Sequence, residues 1–283
     1  MITVGTGSDS WSSANQAPFH SHLLEGSIAI ITGGGTGLGR AIARELGRAG
    51  ATLVLAGRRP LPLEASVDEF HTLGITAVAE PTDIRQPDQV EALVAHAVDR
   101  FGQVNILVNN AGGQFPARAE DITDRGWRAV IETNLHGTFL MTQAVGRQLI
   151  RQGHGGVVTN IVVPSLSRGI PGIAHSVAAR AGVCGLTKTL AREWAPHQIR
   201  INAVGPGLFL TEGLREEMLH HAEPDFVERT SLSVPLGRTG RPEELGWLVT
   251  FLSSPLSSFM TGEYVTIDGG QSLAAGISLL PGL

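Results

Sequence analysis

Glycines at positions 33, 34, 35, 37 and 39 stand between an apolar run, Ile28-Ala29-Ile30-Ile31, and a stretch in which Leu38, Ile42 and Leu46 recur at helical spacing. A strand that turns through glycines into a helix suits a phosphate. The missing side chains let the backbone come close, and the helix start offers free amide donors and the positive end of its dipole. Gly33, Thr36, Gly37, Leu38 and Gly39 are thereby expected to hold the pyrophosphate of a dinucleotide. A second apolar run, Thr52-Leu53-Val54-Leu55-Ala56, ends in Gly57-Arg58-Arg59. A nucleotide with free ribose hydroxyls favours an acid at such a strand end, and none is present. Arg58 offers instead a guanidinium fork that matches a 2′-phosphate. The expected cofactor is therefore NADP rather than NAD. The bland alternative is a pair of solvated arginines.

Further apolar runs at Ile75–Val78, Ile106–Val108, Gly156–Asn160, Arg200–Val204 and Tyr264–Ile267 alternate with helical stretches, one of them running from Val90 to Phe101. Continuous apolar strands, each followed by a helix, predict an α/β fold: a doubly wound parallel sheet of Rossmann type. A chain of 283 residues with 42% hydrophobic and 17% charged residues has enough material for one such domain. Residues 1–23 lack both a basic start and an apolar run and read as a flexible tail. The domain then spans 24–283, with residues 208–236, irregular and rich in His, Glu and Pro, as a mobile substrate lid. Net charge is −5, with no basic stripe, which argues against nucleic acid as a partner. One cysteine, Cys184, and no long apolar segment point to a cytoplasmic protein with no membrane partner. His220, His221, Glu223 and Asp225 mimic metal spacing but lie on a polar, proline-interrupted stretch and read as a solvated face, so no metal is expected. Trp127, Trp194 and Trp247 read as core.

The motifs, taken together and in order, resemble those of the short-chain dehydrogenase/reductase family. The match runs from Thr32-Gly33-Gly34-Gly35-Thr36-Gly37-Leu38-Gly39 through Asp83-Ile84, Asn109-Asn110-Ala111-Gly112 and Thr133–Phe139. It continues with Pro206-Gly207 and Thr211, then Pro235–Arg238, Pro242–Glu244 and Asp268-Gly269-Gly270, and covers about residues 24–273. The resemblance implies that Asp83 and Ile84 meet the adenine, and that Asn110, Ala111 and Gly112 line the cofactor at the fourth strand. It implies that Asn134 anchors a relay water, that Pro206, Gly207 and Thr211 seat the nicotinamide, and that the protein is a homotetramer. Within the family the chain is similar to the trans-2-enoyl-CoA and 2,4-dienoyl-CoA reductases, through Gly112-Gly113-Gln114-Phe115, Asn160–Ser165 and His175–Val183. Where the family pattern has Tyr-x-x-x-Lys, this chain reads Ser176 and Arg180. Where it has Ser, thirteen residues earlier, the chain reads Val163. The sole tyrosine is Tyr264. Members of the similar branch also lack that tyrosine and place a hydroxyl or acid elsewhere, in some at the position of Ser165 and in others at that of Cys184.

These residue types limit the chemistry. Reduction of an isolated ketone needs an acid at the carbonyl oxygen. Serine is a poor acid and Arg180 stays charged, although it can hold the nicotinamide ribose. Reduction of the double bond of an enoyl thioester needs less. Charge develops on the thioester oxygen, and hydrogen-bond donors suffice there. Ser176 with Arg180 is the first candidate for that role, followed by Ser165, His175 and Asn134. The resulting expectation is an NADPH-dependent reductase of an activated double bond, with an acyl thioester as small-molecule substrate. Two other readings stand beside it: the fold repurposed for isomerase, lyase or cyclase chemistry, and a non-catalytic NADP-binding protein.

Overall fold

Seven strands, Ile28–Thr32 (β1), Thr52–Gly57 (β2), Ala77–Pro81 (β3), Ile106–Asn109 (β4), Gly156–Ile161 (β5), Ile199–Pro206 (β6) and Tyr264–Ile267 (β7), form one parallel sheet in the order β3-β2-β1-β4-β5-β6-β7. The computed structural model describes residues 18–211, 231 and 234–273. The helices between the strands are Gly37–Arg48 (α1), Pro60–Thr72 (α2), Pro87–Phe101 (α3), Asp124–Ile131 (α4), Gly137–Gln152 (α5), Ala174–Trp194 (α6) and Pro242–Ser253 (α7). All strand pairs are parallel, so each connection crosses over the sheet and leaves a helix on one face or the other.

Side-chain alternation along the strands builds two cores. Ala29, Ile31, Leu53 and Leu55 pack on one face with Ile42, Leu46, Phe70, Leu245 and Leu252. Ile28, Ile30, Val54 and Leu107 pack on the other with Leu93, Met141, Leu149 and Ile201. Burial on both faces explains the unbroken apolar runs in the sequence. The chain leaves β1 for β2 and β3 on one side, and β4 begins the other half. The direction in which the chain adds strands therefore reverses between β1 and β4, and a ligand crevice is expected at the carboxyl ends of these two strands.

Three local features differ from the sequence reading. The third strand starts at Ala77, because the Ile75 amide donates to the Phe70 carbonyl (2.9 Å) and closes the end of α2. Trp127 is 40% exposed rather than core, since α4 buries only Val130. A π-helical turn, Glu132–His136, joins α4 to α5. Such a turn adds a residue to the helical repeat and re-aims the side chains on it, and π-turns concentrate at functional sites. Of the expected tail, residues 1–17 lie outside the described residues, while Leu23 packs against the core and the Leu24 amide donates to the Ala49 carbonyl (2.7 Å). Of the expected lid, residues 212–230 and 232–233 lie outside the described residues, as do His220, His221, Glu223 and Asp225. Among the described residues no helix is long and apolar enough to cross a membrane, and no His/Cys/Asp/Glu cluster could hold a metal.

Candidate active site

A cleft of about 320 Å³ opens at the switch between β1 and β4. Gly33, Thr36, Gly37, Leu38, Arg58, Asp83, Ile84, Asn110, Ala111 and Gly112, all residues that the sequence reading assigns to the cofactor, line it. Thr32 ties its two sides together. Its Oγ1 accepts the amides of Asn110 and Ala111 (both 3.0 Å), and the Asn110 side chain donates back to the Thr32 carbonyl (3.0 Å). Gly39 does not line the cleft. It packs beneath the loop, where a Cβ would sit 2.2 Å from the Gly33 carbonyl oxygen. Gly37 has φ +55, a backbone that glycine tolerates, and its open side faces the Thr211 side chain. Pro206 ends β6, and Gly207 packs against Asp268 at the same sheet edge.

A dinucleotide fits this cradle. Thr36, the residue before α1, makes no side-chain cap, and the first turn of α1 carries no acid. The helix start is thus left with amide donors and a dipole end that an anion can satisfy. Arg58 and Arg59 stand at the far end. The sequence reading passed over Arg85, which lines the same end and grips the Asp83 carboxylate through Nε (2.9 Å) and Nη2 (2.5 Å). These hydrogen bonds from Arg85 hold the Asp83 carboxyl below the usual carboxylate range against the opposing effect of burial.

At the other end of the cleft a second cluster forms around Arg180. Its Nη1 donates to the Ile161 carbonyl (2.8 Å), its Nη2 to Asn134 Oδ1 (3.2 Å), and its Nε lies 3.4 Å from Ser176 Oγ. Ser176 and Arg180 are four residues apart on α6 and share a face. The π-turn brings Asn134 in from α5's side, and a reciprocal pair with the Gly113 backbone fixes its amide (2.7 and 3.1 Å). Gly112 joins the cluster to the cleft. A Cβ there would lie 2.5 Å from Asn134 Oδ1 and 2.7 Å from Arg180 Nη2. Burial pulls the Arg180 guanidinium down to about 10, still charged at neutral pH.

Ser176 itself is fully buried, and its hydroxyl donates to Gln114 Oε1 at 2.6 Å. Gln114 is exposed at the rim. Among the residues in contact with this cluster, it is the one that the sequence reading gave no role of its own. The signal was an amide between a glycine pair and a phenylalanine, just past the end of a central strand. His175 is buried beside Ser176, with its Nδ1 accepting the Ser176 amide (2.9 Å) and the Phe115 ring edge-on at 4.5 Å. Its Nε2 has no partner among the described residues. Ser165 does not join the cluster. It takes a left-handed φ of 59 and its carbonyl accepts the amides of Arg168 and Gly169, which makes it the start of a turn. Tyr264 donates its phenol to the Val163 carbonyl (2.9 Å) and packs near Cys184, away from Ser176.

A family profile described as enoyl-(acyl carrier protein) reductase matches residues 33–272. A probable 2,4-dienoyl-CoA reductase of Bacillus subtilis is 39% identical over 88% of this chain and 98% of its own length. A 3-oxoacyl-[acyl-carrier-protein] reductase of Thermotoga maritima is 36% identical over 87% of this chain and 98% of its own. An actinorhodin polyketide ketoreductase solved with NADPH superposes with a TM-score of 0.83 at 31% identity, covering 88% of this chain and 98% of that one. The chain belongs to the short-chain dehydrogenase/reductase family, near its dienoyl-CoA reductase branch. It is an oxidoreductase of a family that works with nicotinamide cofactors.

Proposed function

We propose that the protein is an NADPH-dependent reductase of an activated carbon–carbon double bond, with an enoyl thioester as its substrate. The carrying observation is the hydrogen-bond series Arg180–Ser176–Gln114 beside the cleft, with no phenol in it. The nicotinamide, when bound, supplies hydride for the β-carbon, and charge then gathers on the thioester oxygen. Ser176 spends its proton on Gln114 Oε1, so the donor left for that oxygen is the Gln114 amide NH₂. Donation from Ser176 into Oε1 polarises that amide, and the Arg180 charge stands behind the serine. Asn134 holds Arg180 on its other side. The α-carbon takes its proton from water, with His175, buried beside Ser176, as the next donor in line. The residues at 163, 176 and 180 stand where the family's usual Ser-Tyr-Lys relay would. The dienoyl-CoA reductase relative supports this reading, and the 3-oxoacyl reductase relative supplies its rival. Exposed Trp127 and Phe139 would be covered in the homotetramer that this reading includes, and a cytoplasmic location is part of the same proposal.

Steady-state assays separate the two activities. NADPH is expected to be consumed with trans-2-enoyl thioesters, giving a product saturated at the α and β carbons. Ketones and 3-oxoacyl thioesters should turn over far more slowly, because nothing in the Arg180–Ser176–Gln114 series is an acid of suitable strength. Ketone turnover near the enzyme median of about 10 per second would overturn the proposal.

Cofactor choice is tested apart from the chemistry. Arg58 should favour NADPH over NADH on the order of tenfold to a hundredfold, the worth of one charge-assisted phosphate contact. Arg58→Ala should remove most of that preference in a fluorescence titration. Equal affinities in the unaltered protein would refute the assignment to NADP.

A further inference from the structure

We propose that Arg85 sets the preference for the phosphorylated nucleotide by an indirect route: it engages the Asp83 carboxylate and so leaves Arg58 available to the 2′-phosphate. The inference rests on the NADPH reading given above and adds to it a residue outside the phosphate contact.

Strand pairing puts the two opposite charges side by side. In the β2–β3 register Gly57 faces Pro81, and the Thr82 amide donates to the Gly57 carbonyl at 2.8 Å. Arg58 and Asp83 each follow directly after that bonded pair, at the ends of adjacent strands about 4.8 Å apart. Both line the cleft. An unpartnered carboxylate there would have two effects. It would repel the dianionic 2′-phosphate, and it would draw the Arg58 guanidinium to itself. Neither effect would reach NADH, which carries no 2′-phosphate.

The structure shows how this is avoided. Arg85 Nε reaches both Asp83 oxygens (2.9 and 3.1 Å), Nη2 reaches Oδ2 (2.5 Å), and the Arg85 amide donates to Oδ1 (3.1 Å). Gln89 Oε1 accepts the Asp83 amide at 2.7 Å, which fixes the backbone from the first turn of α3. The pair is part-buried, with side-chain exposures of 31% and 19%, so solvent does not fully screen it. Arg58 makes no ion pair with a described residue, yet its field still reaches Asp83. Arg85 therefore wins the carboxylate by geometry, two residues along the chain, and leaves Arg58 without an ion-pair partner among the described residues. Arg85 is a positioning residue here, acting through Asp83.

The test measures dissociation constants for NADPH and NADH by fluorescence titration on the full chain. Four proteins are compared: unaltered, Arg85→Ala, Asp83→Asn, and the double variant. The quantity read is the ratio of the two constants, because contacts to the base, pyrophosphate and nicotinamide, and any general loosening, are common to both nucleotides and cancel. Arg85→Ala should cut the NADPH preference on the order of tenfold. Asp83→Asn in the same chain should restore it, since the competing charge is gone, and Asp83→Asn alone should not lower it. An unchanged ratio in Arg85→Ala overturns the inference. So does a fallen ratio that the double variant fails to restore, because Arg85 would then touch the phosphate itself. No preference in the unaltered protein overturns the NADPH reading instead. If Arg85→Ala does not fold, Arg85→Gln carries the same comparison.

Discussion

Gln114→Ala is expected to slow reduction of an enoyl thioester by about a hundredfold to a thousandfold, the usual cost of losing one donor aimed at a developing oxyanion. NADPH affinity should hardly change, because the pyrophosphate cradle from Gly33 to Leu38 is built by other residues. The variant tests an arrangement in which Gln114 faces the substrate and Ser176 stands behind it. Ser176→Ala should therefore do less harm: the amide survives and loses only its polarising partner, worth about 1 kcal/mol for one hydrogen bond. The two substitutions should not add. Once Gln114 is gone, the Ser176 hydroxyl has nothing to act through, and a double-mutant cycle measures that coupling. Single-turnover kinetics with saturating NADPH isolate the chemical step. Full activity in Gln114→Ala would remove the amide from the mechanism. A larger loss in Ser176→Ala than in Gln114→Ala would mean that the serine reaches the substrate oxygen itself.

The sheet was legible because its strands are buried on both faces, so their sequences are short unbroken apolar runs that no surface helix shares. The glycine-rich loop was legible for a related reason: glycines at a strand-to-helix turn are required by backbone approach, and Gly33, Gly37 and Gly39 each answer a contact or a dihedral. The Arg180 cluster was legible only in part. Ser176 and Arg180 share a helix face by spacing, but nothing in the spacing says that Ser176 is shut beneath Gln114, sixty-two positions away. Pairings across loops depend on how the strand ends are staggered, and local sequence does not carry that. Arg85 was missed for a different reason. Two residues from an acid in a strand-end loop, it reads as an ordinary solvated charge. Its meaning comes from Arg58 on the neighbouring strand, which only the sheet order brings near. His175 is the converse case. Its place beside Ser176 is fixed by sequence, yet the structure turns its ring toward Phe115.

Arg180→Met should nearly abolish turnover while leaving the melting temperature about where it was or slightly higher. Among the described residues the guanidinium has neutral partners only, the Ile161 carbonyl, the Asn134 amide oxygen and the Ser176 hydroxyl. No carboxylate among the described residues offsets its desolvation, and burial lowers its pKa to about 10. A basic group depressed on folding opposes folding below its folded-state value. That opposition is relieved only as pH rises through about 10 toward the unfolded value, so at neutral pH it is present in full. Its scale is about 3 kcal/mol. Methionine fills similar volume and removes the charge, while the loss of donors to Ile161 and Asn134 costs about 1–3 kcal/mol, so the two changes roughly cancel. Catalysis has no such compensation. The charge behind Ser176 and the order of Asn134 go together, and the ribose contact assigned to Arg180 should go with them, weakening NADPH as well. Calorimetric melting beside single-turnover kinetics checks both halves. A melting temperature that falls in step with activity would make Arg180 a structural residue, and activity that survives would take its charge out of the reaction. Arg180→Lys refines the answer: it keeps the charge but not the three-way fork, so it should recover part of the turnover only if field rather than geometry is the larger contribution.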